Sequence, residues 1–278
     1  MKFFRFGEKG AERPGIIASD GSLRDVSAHI ADISTETLGE LASLKVLETS
    51  ALPPIPEGAR IGACLADVPN FYCIGLNYRA HAAESGMAEP ASPVIFSKSS
   101  SALAGPYDPL ELPVSAQKGD WEVELGVVIG QSAYQVDKAD ALTYVAGYCL
   151  INDLSERAFQ LEGSGQWIRG KSLPGFGPIG PYFVSADEVP DPQNLSLWLK
   201  LNGELLQNST TADMIFSVAE IIADMSQYMV LRPGDIISTG TPSGVGMGRK
   251  PQRFLRDGDI MDLGIDELGT QRTVVKHG

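Results

Sequence analysis

The sequence predicts an α+β fold, a mixed β-sandwich or roll with a small β-rich module at the N-terminus. Short segments rich in β-branched residues recur between glycine and proline turns along most of the chain, which is typical of such sheets. Helical periodicity is confined to a few short segments, so a regular alternation of strands and helices around a parallel sheet is not expected. Residues 52–58 are proline-rich and indicate a boundary near residue 67.

The N-terminal module, residues 1–67, is predicted to contain three strands and one helix. The strands are expected at residues 2–6, 15–18 and 23–26, with a hairpin turn at residues 19–22. Leucines at positions 38, 41, 44 and 47 predict a helix over residues 35–47, which Ser34 or Thr35 would cap.

The second region, residues 68–278, is predicted to be richer in strands than in helices. Strands are expected at residues 71–75, 94–96, 121–129, 146–152, 180–184, 195–201, 235–239 and 260–265. Helices are expected at residues 79–85, 138–142, 155–161 and 217–229.

Composition limits the function. The 278 residues carry a formal net charge of −13, which argues against nucleic-acid binding because phosphates would be repelled. Three cysteines without C-x-x-C spacing argue against a disulfide framework and a cysteine-based zinc site. No signal peptide and no apolar run of about 20 residues is found, so a cytoplasmic protein without a membrane span is expected.

Two carboxylates, Glu122 and Glu124, stand two residues apart in a segment that is otherwise apolar. Residues two apart on a strand point to the same face, roughly 6–7 Å apart. If both were buried they would require compensation, and a hard divalent cation is the natural partner for oxygen ligands. Alternatively, the other face carries the core and both side chains lie in water. Taken alone, the segment favours this second interpretation.

Asp153 follows an apolar strand and would complete a three-carboxylate site suited to Mg²⁺ or Mn²⁺. Alternatively it caps the helix predicted at residues 155–161, which the spacing alone favours. His81 and Glu84, three residues apart on a predicted helix, could form a dyad in which the carboxylate orients the imidazole. An exposed i,i+3 pair on a surface helix explains the same spacing.

Three further features carry possible chemistry. Lys171 lies in a predicted glycine-rich turn, where it could neutralise an anion or simply be solvated. Arg157 and Gln160 share a predicted helix face and could clamp a carboxylate, or both be exposed. The loop at residues 239–246, which includes Thr241, offers backbone N–H groups that could hold an oxyanion, although a structural turn explains it as well.

The joint order of these motifs resembles the fumarylacetoacetate hydrolase family. The carrying pattern is Asn77-Tyr-x-x-His81-x-x-Glu84, Glu122-x-Glu124, Asp153 with Arg157 and Gln160, Gly170-Lys171-Ser172, and Thr239-Gly-Thr-Pro with Gly-Val-Gly246. Similarity extends over about residues 71–265. One departure is Pro174, which stands where many relatives carry Asp, so this loop should be stiffer and lack one anionic contact.

The resemblance implies a roll with an active-site mouth and assembly as a homodimer or larger oligomer. It implies Mg²⁺ or Mn²⁺ at Glu122, Glu124 and Asp153, a lid that carries His81 and Glu84, and Lys171 in the pocket. Substrate contacts are implied for three residues, namely Arg157, Gln160 and Thr241.

The implied activity is hydrolysis of a C–C bond in a 2,4-dioxo acid, giving pyruvate and a second carboxylic acid. His81, oriented by Glu84, would deprotonate the attacking water, and Lys171 would help to neutralise the resulting enolate. The expected substrate is 2,4-dioxo-3-deoxy-L-rhamnonate or the fuconate derivative. Three alternatives stay open: oxaloacetate decarboxylation, hydration or isomerisation of a 2-oxo dienoate, and a catalytically idle protein that binds a small acid.

Overall fold

The computed structural model describes residues 1–278 and confirms an α+β fold in which strands predominate. Eighteen strands follow one another along the chain: β1 (Lys2–Phe6), β2 (Arg13–Ile17), β3 (Leu23–Asp25), β4 (Phe71–Gly75), β5 (Val94–Lys98), β6 (Leu103–Ala104), β7 (Leu110–Leu112), β8 (Gly119–Asp120), β9 (Val123–Ile129), β10 (Val145–Asn152), β11 (Ser155–Glu156), β12 (Gly177–Pro178), β13 (Phe183–Ser185), β14 (Ser196–Leu201), β15 (Glu204–Thr210), β16 (Ile236–Ser238), β17 (Ile260–Ile265) and β18 (Gly269–His277). The four α-helices are short: α1 (Arg79–Glu84), α2 (Arg157–Leu161), α3 (Ile168–Lys171) and α4 (Val218–Ser226).

Two sheets form the body of the protein. The larger has nine strands in the order β3-β2-β1-β13-β10-β9-β16-β4-β5, and the smaller has five in the order β15-β14-β17-β18-β7. Strands β9 and β10 pair antiparallel at the centre of the larger sheet, with Glu124 opposite Ile151 and Val123 opposite Asn152. Two-stranded pairs, β8 with β11 and β6 with β12, complete the topology.

Successive side chains of β9 and β10 point to opposite faces of the larger sheet, and each face packs in its own hydrophobic core. Leu125 and Leu150 face a core that also contains Leu199 and Leu263 of the smaller sheet. The other face, with Val128, packs in a second core built largely by residues 1–67 and the strands next to them. The two sheets therefore sandwich the first core, and the N-terminal residues cover the far side.

Residues 1–67 share the larger sheet with the rest of the chain. β1 pairs antiparallel with β13, and its Phe3 lies opposite Phe183. The helix predicted over residues 35–47 is instead a 3₁₀ helix at Leu38–Val46. Its apolar positions recur every third residue, which matches the three residues per turn of a 3₁₀ helix and places those side chains on one buried face.

Other boundaries also differ from the predictions. A 3₁₀ helix at Ala141–Tyr144 replaces the helix predicted at residues 138–142, and the helix predicted from residue 155 begins at Arg157, after β11. Seven strands were missed: the short β6, β7, β8, β11 and β12, and the longer β15 and β18. In β18 the inward positions include Gln271 and Thr273, so the apolar alternation that marks a half-buried strand is weak there.

The longest α-helix, α4, begins where its sequence predicts. Ser217 accepts a hydrogen bond from the backbone of Glu220, and Glu220 reaches back to the backbone of Ser217, which is a capping box. None of the helices has the length and apolarity needed to cross a membrane.

Candidate active site

Three buried carboxylates converge at one end of the central strand pair. Glu122 and Glu124 lie two residues apart at the start of β9, and Asp153 directly follows β10. The amide of Asp153 donates to the carbonyl of Glu122 over 2.9 Å, so the antiparallel register continues past the ends of the strands. Because alternate residues share a face, all three side chains lie on the same face of the sheet. One ligand oxygen from each lies within 4.8 Å of the others.

The burial of these carboxylates decides between the alternatives that the sequence left open. Glu122 and Glu124 are 4% and 2% exposed, so the interpretation that places them in water is wrong. Asp153 is fully buried and does not cap α2. That cap is Glu156, whose side chain accepts from the amide of Phe159 over 2.7 Å.

Two buried lysines bind Asp153, one at each of its carboxylate oxygens. Lys171 Nζ lies 2.6 Å from Oδ2 of Asp153 and 2.5 Å from Oε2 of Glu122. Lys171 ends α3 and is 1% exposed, so neither the glycine-rich turn nor the solvated lysine predicted for it is correct. Lys98 Nζ donates to Oδ1 of Asp153. Sequence reasoning missed Lys98, because it ends β5 in an ordinary strand segment without a motif.

Arg157 is buried and uses its guanidinium as a fork. Nε donates to Asp120 over 2.8 Å, one terminal nitrogen donates to Glu122 over 2.6 Å, and the other donates to Oε1 of Gln160 over 3.0 Å. Both Arg157 and Gln160 are 4% exposed, so they are not a solvated helix face. Asp120 was not singled out in the sequence, although it opens the motif that contains Glu122.

The predicted dyad forms on α1. Nδ1 of His81 lies 2.9 Å from Oε1 of Glu84, and His81 is 6% exposed. Both oxygens of Glu84 accept from the amide of Gly244 over 3.0 Å, which fastens α1 to the loop after β16. The pair is therefore not an exposed surface contact, and its carboxylate is held by a backbone donor.

The glycine-rich loop at residues 239–246 binds the carboxylates of the protein itself. The amides of Gly240, Gly244 and Gly246 donate to Glu124, Glu84 and Asp120, respectively. These three donors are therefore engaged, and the oxyanion hole considered from the sequence is not formed by them. These hydrogen bonds hold the three acidic side chains at fixed positions.

The hydroxyl of Thr241 is also engaged. It donates to the carbonyl of Val123 over 3.0 Å and accepts from Nε2 of Gln207 over 2.8 Å. Thr241 contributes a wall of the site, and its hydroxyl ties the loop to the start of β9.

A cavity of about 220 Å³ opens onto this constellation. All nine residues singled out for the site are brought together here, and seven of them line the cavity: His81, Glu122, Glu124, Arg157, Gln160, Lys171 and Thr241. The other two are adjacent, since Asp153 bonds to Lys171 and Glu84 bonds to His81. Pro174 is exposed and lines a different surface depression, so the departure at this position does not reach the cavity.

The two glutamates that line the cavity have pKa values shifted in opposite directions. Burial raises the pKa of the Glu124 carboxyl well above its usual value, and the neighbouring carboxylates of Asp153 and Glu122 raise it further. Burial acts in the same direction on Glu122, but Arg157 and Lys171 outweigh it and lower that pKa to about 2.

Glu124 is the carboxylate that the protein leaves without a positive partner. Its hydrogen bonds come from the hydroxyl of Ser238 and the amide of Gly240, both to Oε2, whereas Oε1 receives none. A buried carboxyl group without a cationic partner, next to two further carboxylates, fits one hard divalent cation with oxygen ligands. Glu122, Glu124 and Asp153 are therefore the residues that could hold Mg²⁺ or Mn²⁺.

Comparison with known proteins identifies relatives over the whole chain. The family model for the C-terminal domain of fumarylacetoacetate (FAA) hydrolase matches residues 70–276. A Burkholderia cenocepacia protein named as a candidate hydrolase is 51% identical over 280 residues, which cover 100% of this chain and 99% of the relative.

Two similar crystal structures represent different activities. Maleylpyruvate hydrolase from Sphingobium sp. SYK-6, in complex with manganese(II) and pyruvate, is 29% identical with a TM-score of 0.82, and all of both chains is covered. A 5-carboxymethyl-2-hydroxymuconate delta-isomerase from Mycobacterium smegmatis is 29% identical with a TM-score of 0.77, covering 100% of this chain and 99% of that one.

Proposed function

The chain belongs to the fumarylacetoacetate hydrolase family, and from this premise we propose that it is a divalent-cation-dependent hydrolase of a 2,4-dioxo acid. The reaction would break the C3–C4 bond and yield pyruvate and a second carboxylic acid. The 2,4-dioxo-3-deoxy sugar acids expected from the sequence are one subclass of such substrates.

One observation carries this proposal: the His81–Glu84 dyad and the acidic triad meet in the same cavity. A hydrolase needs a base for water and an electron sink for the leaving carbon, and a decarboxylase needs only the sink. His81 Nδ1 bonds to Glu84, which leaves Nε2 as the nitrogen that can accept a proton from water.

Glu122, Glu124 and Asp153 would hold the cation. When bound, the cation supplies Lewis-acid polarisation of the carboxylate and 2-oxo oxygens of the substrate. The relative named maleylpyruvate hydrolase binds manganese(II) and pyruvate, which supports both the cation and the product proposed here.

The remaining steps fall to side chains of the protein. His81 takes a proton from water, and the hydroxide adds to the C4 carbonyl. The C3–C4 electron pair then passes to C3, which forms the pyruvate enolate, and His81 returns its proton to C3. The buried ammonium of Lys171 offsets negative charge at the enolate oxygen.

The three residues expected to contact substrate have different roles in this proposal. Gln160 Oε1 is held by Arg157, and its Nε2 donates no hydrogen bond within the protein, so Nε2 is available to the substrate carboxylate. Arg157 already serves three partners and acts by fixing Glu122 and Gln160. Thr241 shapes the wall.

Two other classes of function remain as alternatives. Decarboxylation of oxaloacetate or isomerisation of a 2-oxo dienoate could use the same triad, and one similar structure is named as an isomerase. A protein that only binds small acids is disfavoured, because every residue of the proposed machinery is present and connected.

The test is release of pyruvate from acetylpyruvate in the presence of Mg²⁺ or Mn²⁺, with EDTA as the control. Formation of pyruvate and acetate in equal amounts, abolished by EDTA, is the expected result. Release of CO₂ from oxaloacetate without cleavage of any 2,4-dioxo acid would favour decarboxylation. No product from either class of substrate would favour the binding function.

A further inference from the structure

Part of the cavity has no role in the reaction proposed above. Seven apolar side chains line it next to the polar groups: Ile74, Leu76, Met87, Phe96, Leu161, Trp167 and Met247. We call this set the apolar wall. None of its members belongs to the motifs that carry the family pattern, so it is a property of this chain that the pattern does not predict.

The apolar wall runs from the buried lysine to the surface. Lys171 Nζ lies 5.2 Å from the centroid of the Phe96 ring, and the rings of Phe96 and Trp167 meet edge to face with 5.2 Å between their centroids. Met87 and Leu161 are 50% and 45% exposed, so they form the outer end. A substrate with its charged head at Lys171 would therefore extend along aromatic and aliphatic side chains.

Gly75 makes room for the indole of Trp167. A Cβ at Gly75 would lie 2.6 Å from a carbon of the Trp167 ring, closer than two non-bonded carbons can approach. The ring thus lies directly against β4, where a larger residue would displace it. This close packing fixes the position of the aromatic pair.

The cavity offers no free positive charge to a second anionic group on the substrate. Its basic side chains are already committed, Arg157 to Asp120 and Glu122, and Lys171 to Glu122 and Asp153. A dicarboxylic substrate would therefore lose hydration without gaining an ion pair.

Hydroxyl groups on the substrate would find few partners as well. Ser85 Oγ is buried without a hydrogen-bond partner, but the hydroxyl of Thr241 is already bonded twice. A polyhydroxylated chain lying along the apolar wall would leave most of its hydroxyls unpaired, which is unfavourable in a buried site.

From these contacts we propose that the apolar wall selects a 2,4-dioxo acid whose group beyond C4 is an uncharged apolar chain or ring. The inference rests on the proposed function for the placement of the 2-oxo acid head. It replaces the sugar acid expected from the sequence with an acylpyruvate that carries an apolar tail.

Binding can be tested without turnover. We would titrate the protein calorimetrically, at saturating Mg²⁺, with 2-oxo acids that share the pyruvate head: 2-oxooctanoate, 2-oxosuberate and 2-oxo-3-deoxygluconate. The expected Kd of 2-oxooctanoate is at least tenfold lower than that of the other two. Equal affinities, or tighter binding of the diacid or the sugar acid, would overturn the proposal.

A matched pair of variants locates the effect. Leu161→Lys adds a cation at the outer end of the apolar wall and should improve 2-oxosuberate binding at least fivefold while weakening that of 2-oxooctanoate. Ile168→Lys adds the same charge at a side chain of similar exposure that does not line the cavity, and should change neither. The same change in both variants would count against the apolar wall as the selecting surface.

Turnover separates this inference from the proposed function. The kcat/KM for benzoylpyruvate and for hexanoylpyruvate should be at least tenfold higher than that for succinylpyruvate. Acetylpyruvate serves as the reference substrate. Cleavage of acetylpyruvate without preference among the longer tails would overturn the inference and leave the hydrolase. The expected binding order without cleavage of any acylpyruvate would support the apolar wall and overturn the hydrolase.

Discussion

Lys98 Nζ lies 2.5 Å from Oδ1 of Asp153, and neither side chain has exposed surface. The same ammonium donates to the carbonyl of Leu154 over 2.9 Å, while Lys171 binds the other carboxylate oxygen of Asp153. The two lysines fix the orientation of this proposed cation ligand. Burial lowers the pKa of Lys98, and the attraction of Asp153 opposes that effect.

Lys98→Met should separate stability from cation affinity. Removal of one member of a buried ion pair should lower the free energy of unfolding by about 3 kcal/mol. The site also loses one positive charge, so Mn²⁺ should raise the Tm of the variant more than that of the wild type. Urea unfolding and thermal melts with and without Mn²⁺ measure both effects. Exposed Lys200→Met is the control, and a smaller shift with Mn²⁺ in Lys98→Met would contradict the prediction.

Glu124→Gln should remove cation binding without loss of the fold. The glutamine keeps a carbonyl oxygen for Ser238 and Gly240 and carries no buried charge, so the metal-free variant should be at least as stable as the wild type at pH 7. Its Tm should no longer respond to Mn²⁺, and pyruvate release should fall at least 100-fold. Exposed Glu204→Gln serves as the control. Full activity in Glu124→Gln would refute the ligand assignment.

His81→Ala should affect two reactions unequally. Hydrolysis of acetylpyruvate needs a base for water, so its kcat should fall by about 10²–10⁴-fold. Any decarboxylation of oxaloacetate on the same site needs no water and should fall by less than tenfold. Both rates are followed with the same preparation, through pyruvate and CO₂ respectively. Equal losses would show that His81 acts in a step common to both reactions.

Two carboxylates of α4 should have opposite effects on stability at acid pH. Hydrogen bonds from Lys138 and Ser217 lower the pKa of Glu220 from 4.5 to about 2. The stability from Glu220 is therefore present above about pH 4.5 and lost as the pH falls toward 2. Burial raises the pKa of Asp224 from 3.8, so Asp224 lowers stability as the pH rises above that value.

Urea unfolding from pH 2 to 6 tests this pair of residues. In Glu220→Gln, the free energy of unfolding should fall less between pH 4.5 and pH 2 than it does in the wild type. Asp224→Asn should raise the unfolding free energy relative to the wild type above pH 4 and leave it unchanged near pH 2. Changes of the same sign in both variants would contradict the assigned pKa directions.

The residues of the site could be singled out from the sequence, but their local spacing did not decide their roles. Spacing alone favoured solvent exposure for Glu122 and Glu124 and a helix cap for Asp153, and only the joint order of the motifs, through the family resemblance, predicted one site. Lys98 could not be found in this way, because its contact with Asp153 joins residues 55 apart in the sequence. The partner of a buried charge depends on strand order in the sheet, which local patterns do not contain.

The same limit explains the errors in the fold. Apolar residues at every third position of residues 38–47 are compatible with either kind of helix, and the 3₁₀ form is the one that occurs. The inner face of β18 carries Gln271, whose amide donates to the carbonyls of Leu150 and Gly180. Its burial depends on acceptors from distant strands, so a polar residue at an inward position gave no sign of a strand.

The pairing of β1 with β13 has a consequence for the protein as a whole. No residue from 1 to 67 lines the catalytic cavity, yet Phe3 and its neighbours cover the apolar half of the face whose other half carries Glu124. A chain that began at residue 68 would leave β13 (Phe183–Ser185) as an unpaired edge strand. It would also expose the apolar face of the larger sheet to solvent. Residues 1–67 therefore support the face of the sheet that carries Glu124, and we expect their replacement to disturb the geometry of the cavity.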